Sequence, residues 1–129
     1  MPHEELPSGE PAVRVTAMPA NSNVYGDIFG GWLMAQMDLA ASSVASRHAR
    51  GRAVTIAVEG MTFHRPVFIG DEVSVYARLV KTGRTSMQVE VEAWARDRHA
   101  DDLNKVTNAA FTFVAVGQDR RPRAVQALV

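Results

Sequence analysis

The 129-residue chain contains no cysteine, which excludes a disulfide framework, a thiolate nucleophile and any cysteine-ligated metal. It has no excess of either charge, since fourteen Lys and Arg face fourteen Asp and Glu. A uniform positive field of the kind that gathers nucleic acid or an anionic membrane is therefore missing, and an anionic ligand has to be held by local groups. No stretch approaches the roughly 20 apolar residues that a bilayer crossing requires. The opening residues Met1 to Pro11 are polar, with Glu4, Glu5 and Glu10 where a secretory signal has a basic start and an apolar run. The expectation is a cytoplasmic protein with neither nucleic acid nor membrane as partner. Several motifs are also missing. His3, His48, His64 and His99 show no metal-binding spacing, and there is no Gly-x-Ser-x-Gly elbow or Gly-x-x-x-x-Gly-Lys phosphate loop. Carboxylate chemistry is the main enzymatic option left, with no metal or cofactor implied.

What is present suits one domain, because 47% of the residues are hydrophobic and the length supports a single core. We expect a flexible segment over 1–11, a domain over 12–117 and a loose, arginine-rich tail over 118–129. Val13, Val15 and Ala17 alternate with polar residues in a first strand over Ala12–Met18. A turn-rich stretch follows, containing Pro19, Asn21, Ser22, Asn23 and Gly26. From Gly30 to Ser46 the period changes. Leu33, Met37, Ala40 and Val44 recur at the spacing of one helical face, and Gly51 is placed to stop the helix. The remainder reads as four strands in a meander. The first runs from Ala53 to Phe63, burying Val54, Ile56 and Val58, with a bulge near Gly60. The next two bury Val73, Val75, Ala77 and Leu79, then Met87, Val89, Val91, Ala93 and Ala95, with Trp94 on the wetter side. The last ends in an apolar run, Ala109 to Val116, which implies a central or covered strand. The whole is an α+β design, one long helix against an antiparallel sheet of about five strands.

One residue breaks the helical stripe. Asp38 lies three or four positions from Met34, Ala41 and Ala45, where a carboxylate is costly unless it is hydrogen-bonded or lines a cleft. It is either a site residue or an edge residue bonded to a nearby amide. Gly26-Asp27-Ile28-Phe29-Gly30-Gly31 leads into the helix, whose first free amides suit an anion or a developing oxyanion. The plainer reading is a tight turn with Asp27 or Asn23 as helix cap. For phosphate, the best local groups are His64 and Arg65, and the turn Lys81-Thr82-Gly83-Arg84-Thr85-Ser86. Each also serves as an ordinary solvated turn.

Taken together, Ala17-Met18-Pro19, Asn23, Gly26 to Met34, Gln36-Met37-Asp38, Val54 to Glu59, Met61, Phe63, Pro66, Gly70-Asp71, Gly83 to Ser86 and Phe111 to Val116 resemble the YciA-like acyl-CoA thioesterases, a hotdog-fold family. The resemblance spans nearly everything between Arg14 and Gly117. It implies a helix wrapped by the sheet and two protomers pairing so that acyl-CoA sites form between them, with a trimer of dimers favoured. It further implies that Asp38 is the general base or nucleophile and that an amide near Gly30 and Gly31 holds the oxyanion. Asn23 and Asp27 would join the cleft from the partner, and Gly83, Arg84, Thr85 and Ser86 would contact coenzyme A, with Lys81, His64 and Arg65 beside them. The alternatives are a hotdog protein that binds acyl-CoA without cleaving it, and a hotdog dehydratase or hydratase, which needs a histidine near its carboxylate.

Overall fold

In a computed structural model describing residues 5–128, the polar loop at 18–29 delivers the chain into a single long helix. The flexible segment expected over 1–11 and His3 fall partly or wholly outside those residues. The order is β1 (Val13–Thr16), a 3-10 turn (Pro19–Asn21), α1 (Gly30–Ala49), β2 (Ala53–Glu59), β3 (Glu72–Thr82), β4 (Ser86–Arg96) and β5 (Asn104–Ala115). The strands form one antiparallel sheet in the order β1-β3-β4-β5-β2. It curls around α1 in the hotdog arrangement. Only β3, β4 and β5 are a meander. β2 crosses to the far edge beside β5, so the four-strand meander expected from the sequence is not formed.

Helix α1 is longer than its pattern predicts by one turn, about 30 Å for its 20 residues. Leu33 and Met37 fill the core, and Ala40, Ala41, Ala45 and Ala49 let the sheet approach closely. Opposite them stand Val73, Val75, Met87, Val89, Phe111 and Phe113, all buried. Each fully buried side chain of this size contributes about 1.5–3 kcal/mol. The helix ends at Arg50, whose φ of 56° is left-handed, and not through the backbone freedom of Gly51. Gly51 matters for space, because a Cβ there would stand 2.7 Å from Arg123 Nη2.

Two departures from the sequence pattern concern β2 and Trp94. The β2 bulge lies between Thr55 and Ala57, not near Gly60. It places Val54 opposite Val114 and Val58 opposite Phe111. The single extra residue reverses which side of the sheet the later residues face. Val54, Ile56 and Val58 are exposed because β2 is an edge strand. Trp94 is buried despite its polar neighbours, beside a register shift between β4 and β5, and its indole N–H donates to Glu92 Oε1 at 3.2 Å.

The tail is not loose. After a turn at 117–121 it runs back over the molecule, Arg123 N donating to Ala115 O and Val125 N to Arg84 O, both at 2.9 Å.

Candidate active site

Asp38 lies on the side of α1 that faces β2, half-buried at the edge of the helix's core stripe. Thr55 pairs with the core residue Phe113, which turns its side chain toward the helix. Its hydroxyl donates to Asp38 Oδ1 at 2.6 Å, a short charge-assisted bond that fixes the carboxylate. Met34 lies one turn before Asp38 on the helix and Leu39 directly after it, while Ile56 and Val58 follow Thr55 along β2, and all four are exposed on the described chain. Exposed apolar residues thus flank the pair along both elements, and Thr55 holds one oxygen of the carboxylate. The sequence reading missed Thr55. Its one signal was a hydroxyl in the apolar run from Val54 to Val58.

The loop before the helix is built on Asn23. Its side-chain oxygen accepts from Tyr25 N at 2.8 Å and Asp27 N at 3.1 Å, while its own backbone N–H donates to Asp27 O at 2.6 Å. Gly26, at φ 89°, completes the turn. Neither Asn23 nor Asp27 caps the helix. The N-cap is Phe29 and no side chain caps it, so the first-turn amides at Gly30 and Gly31 stay available. Phe63 covers the helix start so closely that a Cβ on Gly30 would lie 3.3 Å from its ring. The ring is held there because Thr107 Oγ1 donates to Thr62 O at 2.7 Å and His64 N to Val106 O at 2.8 Å. Ile28, Gly30, Leu33, Phe63, Pro66 and Val67 line an apolar pocket of about 220 Å³.

Asp38 and these amides do not converge within one chain. Eight residues of helix separate Gly30 from Asp38, about 12 Å along the axis, too far for both to reach one carbonyl group.

The groups expected to meet phosphate divide between the two ends of α1. Arg65 lines the pocket at the helix start, and its Nη1 donates to Lys105 O at 2.5 Å; His64 is exposed beside it. The other group lies at the helix's far end. Gly83 N donates to Ser86 O at 2.9 Å, and a side chain on Gly83 would collide with Ser86 Oγ. Thr85 O accepts from Ala115 N at 2.9 Å, while Lys81 and Arg84 point outward, exposed. Among the described residues no histidine is hydrogen-bonded to Asp38: His48 Nε2 donates to Gln126 O at 2.6 Å, and His64 follows Phe63 at the helix-start end, its N donating to Val106 O. Elsewhere, burial pushes the Asp71 carboxyl above its ordinary value, opposed by the Phe68 amide and reinforced by Asp97. Among the described residues, no cluster of three or more His, Cys, Asp or Glu is set to hold a metal, and no helix is long and apolar enough to cross a membrane.

Comparison with known proteins bears on this geometry. The Thioesterase superfamily model matches residues 25–100, which run from the loop through α1 to the end of β4. An uncharacterized acyl-CoA thioester hydrolase of Zymomonas mobilis, ZMO0511, is 60% identical over 90% of this chain and 78% of its own length. The acyl-CoA thioester hydrolase YciA of Salmonella typhimurium is 48% identical over 93% of this chain and 92% of that protein. Among solved structures, the hexameric thioesterase y2039 from Yersinia pestis matches with a TM-score of 0.89 at 46% identity, covering 95% of this chain and 100% of that one. On these likenesses the chain belongs to the thioesterase superfamily and, within it, to the YciA-like acyl-CoA thioester hydrolases.

Proposed function

We propose that this protein hydrolyses acyl-CoA to a free carboxylic acid and coenzyme A at sites shared between two protomers, with Asp38 as general base. The observation that carries the reading is the Asp38–Thr55 pair. It is a carboxylate oriented by a 2.6 Å bond and flanked along α1 and β2 by apolar residues that one chain leaves exposed. Asp38 accepts a proton from water, and the resulting hydroxide adds to the thioester carbonyl carbon. The carbonyl oxygen becomes an anion, stabilised by a helix-start amide at Gly30 of the partner subunit. Collapse of the intermediate breaks the carbon–sulfur bond and expels the coenzyme A thiolate, which takes up the proton held by Asp38 and so restores the carboxylate. Because a thiolate leaves readily, one base and one oxyanion site are enough, and neither histidine nor cofactor is called for.

Pairing of protomers follows from the 12 Å offset and from the exposed apolar residues of β2 and α1. The hexameric assembly of the Yersinia pestis relative supports a trimer of dimers. Gly83, Arg84, Thr85 and Ser86 supply the nucleotide contacts, with Lys81 nearby, and His64 and Arg65 serve the helix-start end. Among the described residues no hydrogen bond joins a histidine to Asp38, which counts against a dehydratase. An acyl-CoA substrate supports the expected cytoplasmic location.

Asp38→Asn keeps the shape but cannot take a proton, so acyl-CoA turnover, followed by thiol release, should fall by about 10²–10⁴-fold with fold and assembly intact. Undiminished turnover by the folded variant removes Asp38 from the mechanism.

A further inference from the structure

The carboxyl-terminal segment shares one end of the molecule with the turn assigned to the nucleotide. Arg123 is the link. Its Nη2 donates to Ala49 O at 2.6 Å, satisfying a carbonyl at the end of α1, and its Nε donates to Val116 O at 3.2 Å. A guanidinium at a helix carboxyl end also meets the negative pole of the dipole. The space it occupies exists because residue 51 has no side chain. Two residues on, Val125 N donates to Arg84 O at 2.9 Å, and Leu128 N donates to Thr82 Oγ1 at 3.0 Å. On its other side, Gln126 O accepts from His48 at 2.6 Å. The segment therefore ties the β3–β4 turn to the end of the helix.

Charge points the same way. The sequence is neutral overall, yet Arg47 and Arg50 line a cleft with Gln126, and the segment brings the exposed Arg84 to the same end through the Val125–Arg84 backbone bond. Asp119, in the turn that opens the segment, accepts from Arg121 N at 3.0 Å through its Oδ1. Such an end favours a ligand carrying several phosphate charges.

We propose that residues 118–128 form a strap that holds the Arg84 turn in its ligand-ready position, and that Arg123 is the positioning residue fastening it. The inference rests on the nucleotide role given to that turn. Arg123 touches no substrate. It acts by keeping the turn and the helix end together, so that the phosphates of an acyl-CoA meet a preformed set of cations and the cost of ordering the turn does not weaken binding.

The test compares two thioesters of the same acyl group, one on coenzyme A and one on a short thiol lacking the nucleotide. Arg123→Ala should raise KM for acyl-CoA about tenfold, a loss of one charge-assisted contact's worth of positioning, while kcat stays within about twofold. The nucleotide-free thioester should be turned over as before. Arg123→Lys, keeping a donor for Ala49 O alone, should lie between. Val125→Pro removes the N–H that meets Arg84 O without changing charge and should reproduce the selective rise. If Arg123→Ala does not fold, the Lys and Pro variants decide. Equal losses on both thioesters, a fall in kcat alone, or no change overturns the strap. Arg84→Ala separates the two claims. If it discriminates between the thioesters and the strap variants do not, the strap alone is wrong. If neither does, the nucleotide role of the turn falls and the strap with it.

Discussion

Thr55 is the least conspicuous residue of the site and, after Asp38, the most exposed to test. A hydroxyl donated to an ionised carboxylate is worth about 1.5–3 kcal/mol. Thr55→Val keeps the branched shape that a strand favours and removes the donor, so kcat should fall about 10- to 100-fold, whereas Thr55→Ser should retain most of the activity. Thiol release by the two variants checks this, and equal activity in both would remove the hydroxyl from the mechanism. Asp38 stands out as a candidate in the sequence because a charge breaks a helical stripe. Thr55 was not, since threonine is common in strands and its partner lies 17 positions away on another element. A residue that supports another gives no signal of its own until the fold brings the two together.

At the scale of elements, period revealed α1, β3 and β4, because each has one face in the core and one outside it. The errors came where coverage depends on a neighbour. Val54, Ile56 and Val58 have the apolar character of a buried strand, but sequence pattern does not say whether helix, sheet or a second chain covers them. The edge position of β2, the exposure of Ile56 at 59% and the bulge beside it point to a second chain. An open apolar edge is otherwise an aggregation hazard. Ile56→Asp should therefore leave the protomer's circular dichroism unchanged and shift the light-scattering mass to smaller species, with activity lost in proportion. An unaltered mass would move the protomer contact away from β2. The tail misled for the opposite reason. Arginine and proline suggest a solvated segment, whereas its order comes from backbone donors at Arg123, Val125 and Leu128, which composition does not reveal.

For the whole molecule, net charge described the sum and concealed its arrangement. Fourteen charges of each sign become a molecule whose helix carboxyl end, β3–β4 turn and tail gather arginines, while Glu72, Glu90 and Glu92 pair with Arg96, Arg78 and Lys105 on the sheet. Strand order and charge distribution depend on contacts between residues far apart in sequence, which a local pattern does not record. The 12 Å between Gly30 and Asp38 has a further consequence. If every working centre draws its base from one chain and its oxyanion amide from another, two inactive chains can complement each other. Asp38→Asn lacks the base, and Gly30→Val forces a branched side chain against Phe63. Co-assembled in equal amounts, they should regain about a quarter of wild-type activity, because half of the random pairs are mixed and each mixed pair rebuilds one of its two centres. A mixture as inactive as its components would place both groups in a single chain.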